Sequence, residues 1–322
     1  SFNCKKMKAG IFDPYLDTLG GGERYTMTVA ECLIKNSWKV DVFWNDKTIK
    51  QKIRDRLGIE INQVNFIPNI FNQSIREKYK LLKKYDLIFY LSDGSIPFLF
   101  AKKNILHFQV PFVDVCSKNW IKNYINKIKL KFIDQVICNS QFTKKFIDRG
   151  YELRSKILYP PVDVEKFYPG EKENIILGVG RFEQTMQAKG QDVLIKAFIQ
   201  MCDKGLKDWR LILAGGSLAE EKENQFLKEL KRQAMNYPIE FLVNIDFEGL
   251  RNIYGKAKIF WHAAGFGIEE EKEPYRVEHF GITTVEAMAA GCVPVVIDKG
   301  GLREIVRHQV GERWQTIEEL QE

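Results

Sequence analysis

The 322-residue chain contains no run approaching the roughly 18–20 uninterrupted apolar residues that a membrane-spanning helix needs. Its best candidate, residues 87–101, is broken by Ser92-Asp93-Gly94-Ser95, so an integral membrane protein is not expected. The six cysteines (Cys4, Cys32, Cys116, Cys138, Cys202 and Cys292) form no C-x-x-C pair, which argues against a disulfide framework and against a thiolate zinc site. No signal-peptide pattern is present, and a reducing cytoplasm is the expected compartment. The four histidines make no H-x-x-x-H pair and no D-x-D occurs, so two familiar ways of holding a divalent metal are missing. A dinucleotide fingerprint is missing as well, because G-x-G-x-x-G starting at Gly20 would need glycine where Tyr25 stands.

What is present is a globular composition, 45% hydrophobic and 28% charged, at a length that favours two domains of about 150 residues each. The net charge of +7 is unevenly divided. Residues 1–170 hold 29 Lys+Arg against 17 Asp+Glu, a net +12, and the remainder holds 20 against 25, a net −5. A basic half suits nucleic acid, an anionic membrane surface or an acidic substrate. Nucleic acid is the weakest of the three, since the lysines are spread over many helices with no aromatic-basic module.

Short β-branched or apolar runs alternate with longer amphipathic segments, the pattern of repeated βα units and parallel sheets. The first series predicts strands at 7–12, 40–44, 64–67, 87–91, 105–108 and 136–138, with helices that include 23–35 and 121–132. The second predicts strands at 175–179, 211–214, 240–243, 259–262 and 293–297, and helices at 191–202, 220–235, 247–256, 283–290 and 301–306. Between them Tyr159-Pro160-Pro161 and Pro169-Gly170 stop regular structure, so residues 159–170 are read as a linker between domains 1–165 and 171–322.

Three motifs carry chemistry. Gly20-Gly21-Gly22 opens the first predicted helix after the first strand, where bare backbone and free N–H groups attract anions; a plain βα turn is the alternative. Arg181 ends the strand at 175–179 and Lys189 precedes the next helix, so two cations converge on the crevice where open α/β sheets bind ligands. Singly, each is read as a solvated charge; together they favour phosphate. The third motif runs Glu278-His279-Phe280-Gly281-Ile282-Thr283-Thr284-Val285-Glu286-Ala287-Met288-Ala289-Ala290-Gly291. With a helix beginning near Thr283, Glu278 lies in the loop before it and Glu286 about one turn inside, with backbone N–H groups and the helix dipole facing an anion between them.

Together these motifs resemble the retaining GT-B glycosyltransferases of family 4, whose hallmark is two glutamates separated by seven residues within E-x-F-G…E-A-M-A-A-G. The resemblance extends from the glycine loop through Cys138-Asn139-Ser140-Gln141-Phe142 and Tyr159-Pro160-Pro161-Val162-Asp163 to Gly300-Gly301-Leu302-Arg303-Glu304. In wording it is similar to the α-1,2-mannosyltransferases that extend lipid-linked oligosaccharides from GDP-mannose. It implies an α/β fold of two Rossmann-like domains facing across a cleft. It also implies metal-independent transfer, with retention, from a nucleoside diphosphate sugar to a glycan or lipid-linked acceptor. GDP-mannose is the expected donor, with a UDP-sugar as the alternative and no other cofactor.

Residue by residue, the resemblance implies that Arg181 and Lys189 neutralise the donor diphosphate, Glu286 holds the ribose and Glu278 contacts the transferred sugar. Phe280, Gly281, Ile282 and Thr283 line the donor, with backbone groups of Gly281 and Ile282 meeting its sugar or phosphate. Gly21 and Gly22 close over the diphosphate from the other domain. His107 stands where the family often places a histidine that touches the transferred sugar; a structural histidine is the alternative. Two departures stand out. The family spaces its Arg and Lys about five apart and here the gap is eight, so residues 183–188 resemble an inserted loop. Residues 265–277, with Glu269, Glu270, Glu271 and Glu273, also form an unusually long connection, read as a solvated acidic loop or as a lid. The basic first half then fits an acceptor side that meets an anionic membrane from its cytoplasmic face. From a different class, a non-catalytic nucleotide-sugar sensor or scaffold subunit is the competing reading.

Overall fold

The structure, a computed structural model, describes residues 6–113, 120–184, 187–217 and 224–322. Cys4, Cys116, the centre of the 183–188 insertion and the start of the helix expected at 220 lie outside these residues. The chain divides into two units, Ser1–Pro161 and Val162–Glu322.

The first unit runs β1 (Lys8–Phe12), α1 (Gly21–Lys35), β2 (Lys39–Phe43), α2 (Ile49–Leu57), β3 (Val64–Ile67), α3 (Ile75–Leu82), β4 (Leu87–Leu91) and β5 (Lys103–Phe108). It ends with α4 (Trp120–Leu130), β6 (Gln135–Cys138), α5 (Gln141–Tyr151) and the two-residue β7 (Lys156–Ile157). The strands form one sheet of order β3-β2-β1-β4-β5-β6-β7, and every pairing is parallel. Both faces are apolar, as a parallel sheet between helix layers requires. Ala9, Ile11, Val40 and Val42 pack with Tyr25, Met27 and Ala30 of α1 and Ile53 of α2. Their neighbours Phe12, Phe43, Ile88 and Tyr90 face the opposite layer with Ile147 and Tyr151 of α5.

The second unit contains β8 (Glu173–Val179), α6 (Gln191–Asp203), β9 (Arg210–Gly215), α7 (Gln225–Gln233), β10 (Ile239–Val243), α8 (Phe247–Lys256) and β11 (Ala257–His262). It continues with α9 (Ile282–Ala289), β12 (Val293–Ile297), α10 (Leu302–Ile305), β13 (Glu312–Trp314) and α11 (Ile317–Gln321). Its sheet, again parallel throughout, has order β10-β9-β8-β11-β12-β13. Leu194, Ile195 and Phe198 of α6 cover one face. Tyr254 of α8, the fully buried Ala287 of α9 and Ala290 just after it cover the other, where small side chains let α9 lie close to the strands.

The stretch expected as a linker is shorter than 159–170. Phe167 is 6% exposed, its ring against Phe247 and Tyr254, and the Gly170 N–H donates to the Gly255 carbonyl at 3.0 Å, so the Pro169-Gly170 end belongs to the second unit. Each sheet has a switch point where the chain leaves a central strand for either side, β1/β4 in the first and β8/β11 in the second. The sequence-selected motifs follow β1, β8 and β11, at the carboxyl ends where such sheets take ligands.

Candidate functional site

In the second unit the loops after β8 and β11 bring Lys189 and Glu278 together, 89 residues apart in sequence, with Nζ 2.8 Å from Oε2. The contact is largely enclosed, the two side chains being 17% and 14% exposed. Gln187 braces it: its Oε1 accepts from Lys189 Nζ at 3.2 Å and its Nε2 donates to the Val277 carbonyl at 2.7 Å. His262 ends β11 at 3% exposure with Nε2 3.4 Å from Glu278 Oε2, near enough to feel the charge without an aligned hydrogen bond. Its Nδ1 accepts from the Ala264 N–H at 3.3 Å, which places the ring proton on the nitrogen facing Glu278. Burial alone would raise the Glu278 pKa, yet the Lys189 ammonium, then His262, outweigh it and hold the carboxyl well below the usual range.

Gly281 sets the helix that follows. Its φ of 109° starts α9 from the left-handed region, and a β-carbon there would lie 2.7 Å from Leu302 Cδ2. The Gly301 N–H donates to the Glu278 carbonyl at 2.8 Å, fixing the backbone on the other side. Gly281, Ile282 and Thr283 therefore form the first turn of α9, where backbone N–H groups point outward, and Phe280 is packed behind them at 9% exposure. One turn on, Glu286 Oε2 accepts from Tyr254 Oη at 3.0 Å. Burial first, then the Glu286 charge, keeps the Tyr254 phenol far above its ordinary pKa, so it remains a donor. Arg181 lies just past β8, exposed, with no carboxylate partner among the described residues; its carbonyl accepts from Gln191 Nε2 at 2.9 Å.

The long connection after β11 is more than a solvated acidic loop. Glu270 is paired with Arg303 and accepts from the Gly300 N–H at 3.1 Å, while Lys299 Nζ binds the Ile268 carbonyl. The loop is thus tied to the same 299–303 segment that holds the Glu278 carbonyl.

In the first unit Gly21 and Gly22 are the opening residues of α1. The turn is held from inside by Glu23, 6% exposed, whose Oε2 accepts from the Gly20 N–H at 2.6 Å and from Thr18 Oγ1 at 2.7 Å. Gln109 Nε2 donates to the Gly22 carbonyl at 3.1 Å, and a β-carbon on Gly22 would sit 2.3 Å from Gln109 Oε1. His107 is fully buried, stacked on Tyr25 at 4.4 Å and tilted against Phe89 at 5.4 Å, and burial brings its pKa down to about 3. Its side chain presents no surface to a ligand.

The site thus joins Lys189, Glu278, the 281–283 turn and Glu286, with Arg181 on the neighbouring loop, while Gly21, Gly22 and His107 belong to the other unit. Sequence reasoning missed His262, Gln187 and Tyr254. His262 was legible as the polar end of an apolar strand; Gln187 and Tyr254 gave no signal, being fixed by tertiary contacts.

Two family models match adjoining parts of the chain, Glycosyltransferase Family 4 over residues 19–166 and Glycosyl transferases group 1 over residues 162–316. The chain is thus a Glycosyltransferase Family 4 domain followed by a Glycosyl transferases group 1 domain. Among relatives of this glycosyltransferase is the GDP-Man:Man(3)GlcNAc(2)-PP-Dol alpha-1,2-mannosyltransferase of Xenopus laevis, 31% identical over 193 residues, 55% of the chain and 37% of the relative. The Mus musculus protein of the same name is 27% identical over 305 residues, 90% of the chain and 51% of the relative. The chain therefore spans about half the length, or less, of these curated relatives. A crystal structure of Anabaena Alr3699/HepE in complex with UDP superposes with a TM-score of 0.69 at 19% identity, covering 98% of this chain and 87% of that one. That likeness carries the fold, two parallel-sheet α/β domains of the GT-B type.

Proposed function

We propose that the protein transfers a sugar, mannose from GDP-mannose, to a glycan or lipid-linked acceptor, without a metal and with retention of anomeric configuration. The observation that carries this reading is the Lys189–Glu278 pair beside the first turn of α9, at the switch point of the second sheet. Breaking the anomeric C–O bond loads negative charge on the leaving diphosphate and positive charge on the sugar, and both must be stabilised. Lys189, Arg181 and the outward N–H groups of α9 supply the first from the protein's own residues.

Glu278 supplies the second. Held ionised by Lys189, it is unsuited to donate a proton near neutral pH and acts as a fixed negative charge and hydrogen-bond acceptor for the transferred sugar. In a front-face reaction the acceptor hydroxyl attacks from the leaving-group side and its proton passes to the departing diphosphate oxygen, so Glu278 need not become covalently attached. Glu286, oriented by Tyr254, accepts from the vicinal hydroxyls of the donor ribose. The relatives named for GDP-Man support the donor, and their PP-Dol wording supports a lipid-linked acceptor. The net +12 of residues 1–170 supports meeting that acceptor at an anionic membrane surface.

A thermal-shift panel of GDP-mannose, UDP-glucose and UDP-N-acetylglucosamine tests the donor. GDP-mannose is expected to stabilise most, and equal or greater stabilisation by a UDP-sugar refutes it. Glu286→Ala and Arg181→Ala should abolish transfer while the protein stays folded; full activity in either removes that residue from the site. A sensor would bind the nucleotide sugar without hydrolysing it.

A further inference from the structure

The first unit leaves aromatic and aliphatic side chains in water along α3 and α4. Ile75 and Tyr79 of α3 are 54% and 50% exposed, Tyr124 and Ile125 of α4 are 61% and 40%, and Phe132, just past α4, is 43%. Ring contacts join the two elements into one patch. Tyr79 meets Phe100 edge-on at 5.4 Å, and Phe132 meets Phe98 at 5.9 Å and Phe100 at 5.7 Å. Ile75 and Tyr79 are four residues apart on α3, and Ile125 and Lys129 four apart on α4, which puts each pair on one helical face, with Lys83 and Phe132 just past the helix ends.

Lysines border the rings. Lys83 Nζ lies 5.1 Å from the Tyr79 ring centre and Lys129 Nζ 5.4 Å from that of Phe98. Residues 76–84 carry five cations against Glu77, and the sequence 93–134 holds seven lysines against Asp93, Asp114 and Asp134, with Lys102, Lys103 and Lys127 paired with Asp86, Asp134 and Glu152. A protein partner that buried these rings would also have to compensate an unbalanced lysine field. An anionic bilayer meets both demands, because aromatic rings settle at head-group depth while lysine stems lie along them and the ammonium groups reach the phosphates. A cavity of about 420 Å³ adjoins the patch: Lys78, Phe98 and Lys129 line it together with Trp44, Tyr90 and Asp93. It lies at the carboxyl ends of β1 and β4 and is large enough for a head group or a sugar ring.

We propose that Ile75, Tyr79 and Lys83 on one side and Phe98, Lys129 and Phe132 on the other seat the protein on an anionic lipid surface, with the adjoining cavity beside the head groups. This gives the membrane contact of the proposed function a location, but it stands on exposure, ring contacts and charge, and its test needs no turnover. The probe is co-sedimentation with vesicles of phosphatidylcholine alone or mixed with phosphatidylglycerol, at low and raised salt. The wild-type chain is expected to bind the anionic vesicles and to be released by salt. Lys83→Ala with Lys129→Ala, which leaves the rings in place, should weaken binding about 30-fold, at the usual contribution of a lysine near an anionic surface. Tyr79→Ser with Phe132→Ser should also weaken it, with unfolding monitored alongside. The proposal is overturned if the wild-type chain ignores anionic vesicles, if both double variants bind as it does, or if the rings instead mediate self-association that Tyr79→Ser with Phe132→Ser abolishes.

Discussion

Replacing Lys189 by methionine keeps most of the side-chain volume and removes the charge that Glu278 depends on. At 2.8 Å and an effective dielectric constant near 20 the two charges attract by about 6 kcal/mol, part of which offsets their loss of water. Removing one partner of a buried pair costs about 3–5 kcal/mol, and with 17% and 14% of the side chains still exposed the lower end applies, about 3 kcal/mol. For a unit of this size that is a fall in Tm of roughly 6–12 °C. The cost must depend on pH. Glu278 has a depressed pKa in the folded protein, so its contribution is present above the ordinary carboxylate pKa and is lost as pH falls through the depressed value. In Lys189→Met burial is opposed by His262 without the ammonium, the Glu278 pKa rises, and the buried carboxyl takes up a proton more readily as the solution is made acid. The deficit relative to wild type should therefore be largest near pH 8 and shrink toward pH 5. Denaturant unfolding of wild type, Lys189→Met, Glu278→Gln and the double variant at both pH values closes a double-mutant cycle, with a coupling of about 2 kcal/mol expected at pH 8. A loss below about 0.5 kcal/mol, a deficit that ignores pH, or additive single effects would refute the reasoning.

Three other outcomes follow from the geometry. Asp13, fully buried at the end of β1 with Oδ2 lacking a partner, has a pKa raised to about 7 by burial and then by Glu23, so its favourable state is the protonated one and its contribution to stability is lost as pH rises from about 4 up to 7. Asp13→Asn should gain on wild type progressively between about pH 4 and pH 7, so that in urea melts its advantage is clearly larger at pH 8.5 than at pH 5.5; an advantage that is absent or equal at the two values would contradict it. Gly281→Ala should cost about 2 kcal/mol or more, since the φ of 109° and the Leu302 contact at 2.7 Å both oppose a β-carbon, and unaltered thermal unfolding would show that the turn is not as described. Tyr254→Phe removes a charged hydrogen bond worth about 1.5–3 kcal/mol and frees Glu286 to turn, so the donor KM should rise more than kcat falls; an unchanged KM would separate Glu286 from donor binding.

The fold was readable because parallel strands buried on both faces appear as short apolar runs: 64–67, 87–91 and 293–297 were placed to the residue. The edge strands β7 and β13 escaped notice, being two and three residues long and partly exposed, with Lys156 in the first and Glu312 and Arg313 in the second. Of the site, Glu278, Gly281 and Glu286 were legible because a glycine at a helix start constrains its neighbours in sequence. Lys189 was harder to place, since its spacing from Arg181 departs from the family pattern, yet contact with Glu278 brings it into the same cluster. Its supports lay beyond sequence reasoning for a physical reason: Gln187 reaches Val277 and Tyr254 reaches Glu286, and pairs 90 and 32 residues apart leave no local periodicity. The 265–277 loop misled because its glutamates suggested a solvated run, whereas Glu270 is held by Arg303 and the Gly300 N–H.

The most direct test is turnover of anomerically labelled GDP-mannose followed by NMR, with a chelator present and with Glu286→Ala as control. The account predicts release of GDP in chelator, a first-formed product that keeps the α configuration of the donor, and no product from Glu286→Ala. A β-configured product, activity that vanishes on chelation, or binding of GDP-mannose with no turnover at all would contradict it.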